Sequence, residues 1–179
     1  MNTRSILLAY ATRFGSTQEV AESVGASLRI AGFQVDIRPI HEVEGLDGYE
    51  AVVLGAAIYN ARWHPEAHRF LSEHQKALAL RPVAIFALGP LSTSEEAMQR
   101  SRGQLDKELE KYPWLKPASV EVFIGKIDRA KMGFFDRLTS PATTDAMDWE
   151  AIRLWAEALP KRLKVEGCLS LHAEIDLRG

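Results

Sequence analysis

Hydroxyl-bearing side chains gather near the start of the chain, in the segment 12–17, which reads Thr-Arg-Phe-Gly-Ser-Thr. An apolar run over 6–9 precedes this segment, and apolar residues with helical spacing follow it over 17–31. A turn that opens into a helix gathers backbone N–H groups at the positive end of the helix dipole, where an anion is stabilised. The hydroxyls could add hydrogen bonds to the same anion. We therefore predict that residues 12–17 bind phosphate, and we call them the phosphate loop.

The phosphate loop contains one glycine, Gly15, and this count excludes two common nucleotide motifs. A dinucleotide fingerprint needs G-x-G-x-x-G, and a P-loop ends in G-K-[ST]. A cradle built from hydroxyls is instead typical of the site that holds the terminal phosphate of FMN. Ser16 followed by Glu19 also fits a capping box, and one geometry could both cap the helix and bind phosphate. The predicted FMN ligands of this loop are Thr12, Arg13 (as a counter-charge), Phe14, Gly15, Ser16 and Thr17.

A second loop, over 55–65, follows another apolar run and begins with small residues that let the backbone approach a planar ligand. Tyr59 or Trp63 could stack on that ligand. Trp63 could equally pack beneath the helix that begins at Pro65. The predicted cofactor-binding residues of this loop are Ala56, Ala57, Ile58, Tyr59 and Asn60.

A third loop follows the apolar run 83–88. Gly89 could present its backbone to the ligand, or it could form a plain turn, and Ser92 or Thr93 is expected to cap the next helix. The predicted cofactor-binding residues here are Leu88, Gly89, Pro90 and Leu91.

Strand-like and helical patterns alternate along the chain, which predicts parallel β-α-β units in an α/β fold. Continuous apolar runs indicate central strands, whereas the patterns over 33–38 and 119–124 alternate or carry charge and indicate edge strands. Edges at the second and fifth strands predict a flavodoxin-like, doubly wound, five-stranded parallel sheet in the order 2-1-3-4-5. The predicted strands lie near 5–10, 33–38, 50–56, 83–88 and 119–124, the helices near 17–31, 65–79, 94–111 and 149–164, with a short helix or irregular crossover over 41–48.

The size, charge and cysteine content of the chain limit its class. Its 179 residues predict one domain over 1–165, with an insertion over 125–148 and a C-terminal tail over 166–179. The net charge of −2 gives no case for a nucleic-acid partner. One cysteine, Cys168, excludes an internal disulfide, and we see no signal peptide, so a cytoplasmic location is expected.

Charged and histidine side chains near the second loop have two interpretations. Arg13, Arg62 and His64 could meet acidic substrate groups or could be ordinary surface charges. His64 and His68 lie one helical turn apart without an evident third ligand, so we interpret them as a solvated helix face and predict no metal site.

The region 4–165 resembles a flavodoxin-fold protein, and within that fold the menaquinone-dependent protoporphyrinogen IX dehydrogenase group. The matching segments are 12–17, Gly55-Ala56-Ala57-Ile58-Tyr59, Gly133-Phe134-Phe135-Asp136-Arg137-Leu138 and Asp148-Trp149-Glu150. The resemblance implies a flavin oxidoreductase of heme biosynthesis that passes electrons from a reduced substrate, protoporphyrinogen IX as a candidate, through FMN to a quinone. The alternative is a flavodoxin-like carrier that docks to redox partners.

Three departures from carrier flavodoxins favour the enzyme. Those proteins are strongly acidic and usually hold the flavin between two aromatic rings, whereas this chain is nearly neutral and its third loop has no aromatic residue. Within the second loop, residues 56–60 also lack the glycine that helps carriers store one electron on the flavin. A signalling receiver domain needs acidic residues after the first and third strands, and this chain has none there.

The segments outside the repeating pattern carry the remaining predictions. Residues 126–138 mix basic and bulky apolar side chains. They could lie on an anionic membrane surface and meet a quinone there, cover a hydrophobic substrate site, or pack on the sheet edge. The tail alternates like a strand over 169–175, so it could extend a sheet within the chain, form a homodimer, or fray.

Overall fold

The computed structural model describes residues 4–59, 61–90, 93–125 and 147–165. The strands are β1 (Ser5–Ala11), β2 (Gln34–Pro39), β3 (Ala51–Tyr59), β4 (Arg62–Trp63), β5 (Val83–Leu88) and β6 (Ser119–Phe123). The helices are α1 (Ser16–Ile30), α2 (Pro65–Glu73), α3 (Gln75–Leu78), α4 (Glu95–Leu109) and α5 (Trp149–Leu163), with a 3₁₀ turn over Ile40–Glu42.

The long strands pair in parallel in the order β2-β1-β3-β5-β6. This confirms the predicted order 2-1-3-4-5, because β4 is an added short strand that pairs antiparallel with the end of β3 and shifts the numbering. The edges of the parallel sheet are β2 and β6, as their interrupted apolar patterns predict. A topological switch point therefore lies between β1 and β3.

Helices cover both faces of the sheet, and successive residues of β1 show how. Ile6, Leu8 and Tyr10 join a core with α1 and α5, whereas Leu7 and Ala9 join a second core with α2, α3 and α4. Side chains of a strand alternate between the two faces of a sheet, so an apolar residue at every position requires both faces to be covered. The result is the predicted three-layer α/β arrangement.

The predicted end of α1 is confirmed, whereas the helix predicted over 65–79 is divided in two. Gly32, with φ of 90°, follows the last turn of α1, and its N–H donates to the Arg29 carbonyl, as expected of a C-terminal glycine. The single helix predicted over 65–79 is wrong. The chain leaves helical geometry at His74 (φ −104°, ψ 17°), whose ring packs on Phe70 with the centroids 4.8 Å apart, and α3 begins after it.

Hydrogen bonds of β6 and of the residue Gly125 after it hold the chain in place on both sides of residues 126–146. The Ser119 hydroxyl accepts hydrogen bonds from Trp155 Nε1 at 2.9 Å and from Arg162 Nη1 at 2.7 Å, which ties α5 to β6. After β6, the Gly125 N–H donates to the Pro90 carbonyl at 2.9 Å.

Several predictions fall on residues outside the described ranges. These are the roles of Asn60, Leu91 and Ser92, the membrane or quinone contact of 126–138, the motif at 133–138, and the strand-like tail with Cys168. Among the helices that the structure describes, none has the length and apolar character needed to cross a bilayer.

Candidate functional site

The carboxyl ends of β1, β3 and β5 lie side by side and carry the three loops that the sequence singles out. Ala11 pairs with Ala56, and Ala57 pairs with Leu88, so the strands end at the same level. Open α/β sheets bind ligands at this edge, beside the switch point. The structure thus brings the phosphate loop next to the β3–β4 hairpin and to the loop that begins at Gly89.

The phosphate loop is a tight turn closed by its own side chain. Thr12 Oγ1 accepts a hydrogen bond from the Gly15 N–H at 2.9 Å, and Gly15 adopts φ of 91°, a conformation that glycine enters without steric cost. Gly15 is the N-cap of α1, and no side chain caps it. The predicted capping box of Ser16 and Glu19 is therefore wrong, because Ser16 is already the first helical residue.

Thr17 gives the clearest indication of an anion-binding site. Its side chain is fully buried in the first turn of α1, and its hydroxyl has no hydrogen-bond partner among the described residues. Burying a hydroxyl without a partner costs about 1–3 kcal/mol, so such groups are rare and need an explanation. N–H groups in the first turn of a helix also lack intrahelical acceptors. A phosphate at this end of α1 would accept hydrogen bonds from the Thr17 hydroxyl and from these N–H groups. The residues present therefore fit the phosphate of FMN.

An aromatic and cationic cluster joins the first two loops. The Arg13 guanidinium carbon lies 4.7 Å from the centre of the Tyr59 ring and 5.2 Å from the centre of the Phe14 ring. The two rings meet edge to face with their centroids 6.3 Å apart. Tyr59 remains 36% exposed, so part of its ring is available to a ligand. Cation–π contacts at exposed sites contribute about 0.5–1 kcal/mol, which allows this cluster to rearrange when a ligand binds.

The second loop is a hairpin that the sequence analysis missed. Tyr59 pairs with Arg62 and Ile58 with Trp63, and Ala61 has φ of 61°, which is unusual for a residue with a side chain. Trp63 is 2% exposed and packs in the core with α2. Of the two roles considered for Trp63, the structure shows the packing role. The pair Asn60-Ala61 between apolar runs was the available turn signal, because Asn is common in tight turns.

His64 is a helix cap. Its ring Nδ1 accepts a hydrogen bond from the backbone N–H of Glu66 at 3.3 Å, and the backbone N–H of His64 donates to the Ala57 carbonyl. Burial lowers the pKa of His64 from 6.5. The nearby Glu66 carboxylate opposes this shift, and the charge of Arg13 adds to it. The imidazole is thus neutral at pH 7 and is not a cationic ligand.

His68 is held by polar partners on α4 and the loop after it. Its Nδ1 lies 2.7 Å from the Tyr112 hydroxyl, and its Nε2 lies 3.0 Å from a carboxylate oxygen of Glu108. The interpretation of His64 and His68 as a solvated helix face is therefore wrong, because each ring has a structural partner. Within the described ranges, no group of three or more His, Cys, Asp or Glu side chains could hold a metal ion.

The third loop differs in detail from its prediction. The Gly89 N–H donates to the Phe123 carbonyl at 2.8 Å, and a Cβ on Gly89 would lie 2.7 Å from the Val122 side chain. Close packing therefore explains this glycine, and its N–H is already bonded within the protein. The cap of α4 is Ser94, which accepts from the Ala97 N–H, rather than Ser92 or Thr93.

A family model for the flavodoxin domain matches residues 7–140. The chain belongs to the flavodoxin-domain family. FMN is the cofactor that this family implies, in agreement with the phosphate loop and the unpartnered hydroxyl of Thr17, and the protein has a flavodoxin-type redox role.

Solved flavodoxins and a curated relative show how far the likeness extends. A short-chain flavodoxin associated with a non-canonical PDU bacterial microcompartment matches with a TM-score of 0.60 and 20% identity, over 89% of this chain and 98% of its own. Flavodoxin 2 from Bacillus cereus matches with a TM-score of 0.56 and 19% identity, over 88% and 99%. Protoporphyrinogen IX dehydrogenase (quinone) from Escherichia coli strain K12 is 24% identical in an alignment of 169 positions that covers 86% of this chain and 93% of that protein.

Proposed function

We propose that this flavodoxin-domain protein is an enzyme that passes electrons from a reduced substrate to a quinone, with protoporphyrinogen IX as the first candidate substrate. The observation that carries the proposal is the similarity to a protoporphyrinogen IX dehydrogenase that uses quinone. That similarity is detected in the sequence itself, and it covers 86% of this chain and 93% of the relative, so it extends over most of both chains.

The structure supports a site open to a substrate. The second loop offers one partly exposed aromatic ring, Tyr59, whereas the described part of the third loop presents Gly89 and Pro90 beside the buried Leu88. The net charge of −2 also gives little long-range attraction or repulsion toward docking partners. A protein that turns over small substrates needs access to the cofactor more than it needs a strongly charged docking face.

The residues of this chain would position the cofactor and the substrate. FMN, when bound, supplies the redox chemistry, accepting hydrogen equivalents from one molecule and delivering them to another. Thr17 and the first turn of α1 would hold the phosphate of FMN, and the exposed part of the Tyr59 ring would face the substrate beside it. Oxidation of a porphyrinogen releases electrons and protons in equal number, and reduction of the quinone to the quinol consumes both.

The cellular context forms part of the same proposal. We infer a cytoplasmic protein that reaches a membrane quinone through peripheral contact of residues 126–138, and a homodimer formed through the tail. The mixture of basic and apolar residues over 126–138 and the alternating pattern over 169–175 support these inferences.

An anaerobic assay tests the enzyme. The FMN-loaded protein would be mixed with protoporphyrinogen IX, and formation of the fluorescent porphyrin would be followed with and without a menaquinone analogue. We expect porphyrin to form well above the protein-free rate, and only when quinone is present.

Two controls make the result specific. Thr17→Val protein, at an FMN concentration where it stays unloaded, should be inactive. Reduction of the FMN-loaded protein by a flavodoxin reductase, together with no turnover of the porphyrinogen under any quinone, would instead point to an electron carrier and would refute the proposal.

A further inference from the structure

We propose that Arg62 binds a carboxylate of the reduced substrate, so that the site selects cyclic, largely apolar substrates with carboxylates at their periphery. This inference rests on the proposed function and deepens it. It assigns a specificity role to a residue that holds no cofactor and that lies at the edge of the same site.

The hairpin places Arg62 beside the exposed aromatic ring. Tyr59 and Arg62 are directly paired across β3 and β4, and residues paired in this way project from the same face, with their Cβ atoms about 5 Å apart. Trp63, the next residue, is on the opposite face and is buried. Arg62 is exposed and therefore projects outward with Tyr59.

A second guanidinium reinforces the positive character of this patch. Arg13 lies over the Tyr59 ring at 4.7 Å, so Tyr59 has one arginine against its ring and another beside it on the hairpin. An aromatic ring with flanking guanidinium groups offers an apolar surface together with donors that fit carboxylates in a bidentate manner.

The surroundings leave Arg62 available for an external anion. Within the part of the chain that the structure describes, Arg62 makes no ion pair, whereas Arg4, Arg69, Arg102 and Arg153 each lie close to a carboxylate. Glu66 is the acidic residue nearest in the sequence, and the electrostatic effect of its carboxylate falls on His64 and Arg69, where it favours the charged forms and so raises the pKa. His64 is neutral at pH 7 because burial lowers its pKa, so it does not compete with Arg62 for a carboxylate.

Protoporphyrinogen IX has the chemistry that this patch would select. Its ring system is apolar, and its propionate groups lie on one side of the ring. A propionate on Arg62 would therefore leave the ring beside Tyr59, at the carboxyl edge of β3 where the cofactor loops converge. Esterified porphyrinogens keep the ring and lose the charge, so they separate the carboxylate contact from the ring contact.

The experiment compares Arg62→Gln with Arg4→Gln. Arg4 precedes β1, at the opposite edge of the sheet, and its ion pair with Glu50 is exposed, so its loss removes the same charge with little effect on stability. Binding of protoporphyrin IX and of its dimethyl ester to FMN-loaded protein would be measured by porphyrin fluorescence. The kcat/KM for the corresponding porphyrinogens would be measured in parallel.

We expect the wild-type protein and Arg4→Gln to prefer the free acid over the ester by about five- to tenfold, which is the range of one charge-assisted contact. Arg62→Gln should lose this preference while its affinity for FMN and for the ester stays unchanged. A preference retained by Arg62→Gln, or lost equally in both variants, would overturn the assignment.

The binding measurement separates this inference from the proposed function. If the wild-type protein oxidises neither porphyrinogen, the proposed function fails. An Arg62-dependent preference in binding would still support a carboxylate site, and equal binding of acid and ester to wild-type protein would refute it.

Discussion

Replacing Thr17 by valine keeps the shape of the side chain and removes its hydroxyl. In the protein without FMN, that hydroxyl is buried and has no described partner. We therefore expect the substitution to have opposite effects on two quantities. It should raise the stability of the FMN-free protein and lower its affinity for FMN.

The magnitudes follow from the environment of Thr17. A buried hydroxyl without a hydrogen bond costs about 1–3 kcal/mol, so its replacement by a methyl group should stabilise the FMN-free protein by about 1 kcal/mol. In a protein of this size that gain corresponds to a rise in Tm of about 2–4 °C. A hydrogen bond to a charged phosphate contributes about 1.5–3 kcal/mol, so Kd for FMN should rise about ten- to a hundredfold.

The assay uses two ligands and one control variant. Thermal unfolding of FMN-free protein gives the change in Tm, and quenching of flavin fluorescence gives the affinities for FMN and riboflavin. Riboflavin lacks the phosphate, so Thr17→Val should leave its weak binding unchanged. Thr17→Ser keeps the hydroxyl, so it should retain tight FMN binding even though loss of a buried methyl group lowers Tm.

A lower Tm for Thr17→Val with unchanged FMN affinity would refute this reasoning. That result would mean that the hydroxyl is satisfied inside the protein and that the phosphate lies elsewhere. An equal loss of affinity for FMN and riboflavin would place Thr17 near the ring and not near the phosphate.

Three further substitutions test the backbone and the caps around the site. Gly55→Ala should lower the free energy of unfolding in urea by about 1–3 kcal/mol, because the new Cβ would lie 2.1 Å from the Phe86 ring. An unchanged midpoint of urea unfolding would show that the Phe86 ring moves aside freely. Ala61→Gly should raise that free energy by about 0.5–1 kcal/mol, because it relieves a positive φ at the expense of a more flexible unfolded chain; destabilisation would contradict this account. The stability of the protein should fall as the pH drops through 6.5, because burial lowers the pKa of His64 in the folded protein and the unfolded chain therefore binds the proton first. His64→Asn keeps a cap acceptor for the Glu66 N–H and should weaken this dependence, and an identical pH profile would exclude His64 as a contributor.

The sheet could be predicted because burial on both faces requires a strand composition that is visible in the sequence. A strand covered on two sides needs apolar residues at every position, and an edge strand does not, so the strand order follows from composition. The short strand β4 has almost no such pattern, because it has two residues and its turn depends on a positive φ at Ala61. The break at His74 is a single non-helical residue between α2 and α3, and no glycine or proline marks it in the sequence.

The site was predictable as a set of loops and less so as a set of contacts. The phosphate loop could be found because a helix N-terminus has its own sequence signature. That signature did not distinguish Gly15 from Ser16 as the N-cap, because the choice depends on the bond between Thr12 and the Gly15 N–H. The contact of Arg13 with Tyr59 joins loops far apart in the chain, and no local pattern encodes it.

The hydrogen bonds on either side of residues 126–146 have a consequence for how this scaffold can evolve. Gly125 is fixed to Pro90 before the interval, and Ser119 holds Trp155 and Arg162 after it, so the chain leaves and rejoins the domain at anchored points. The entropy cost of joining two fixed points by a chain segment rises only slowly with the length of that segment, so a change in the number of residues between 125 and 147 should cost the domain little stability. The parallel sheet and the phosphate loop can therefore stay constant while the length and sequence of this interval vary.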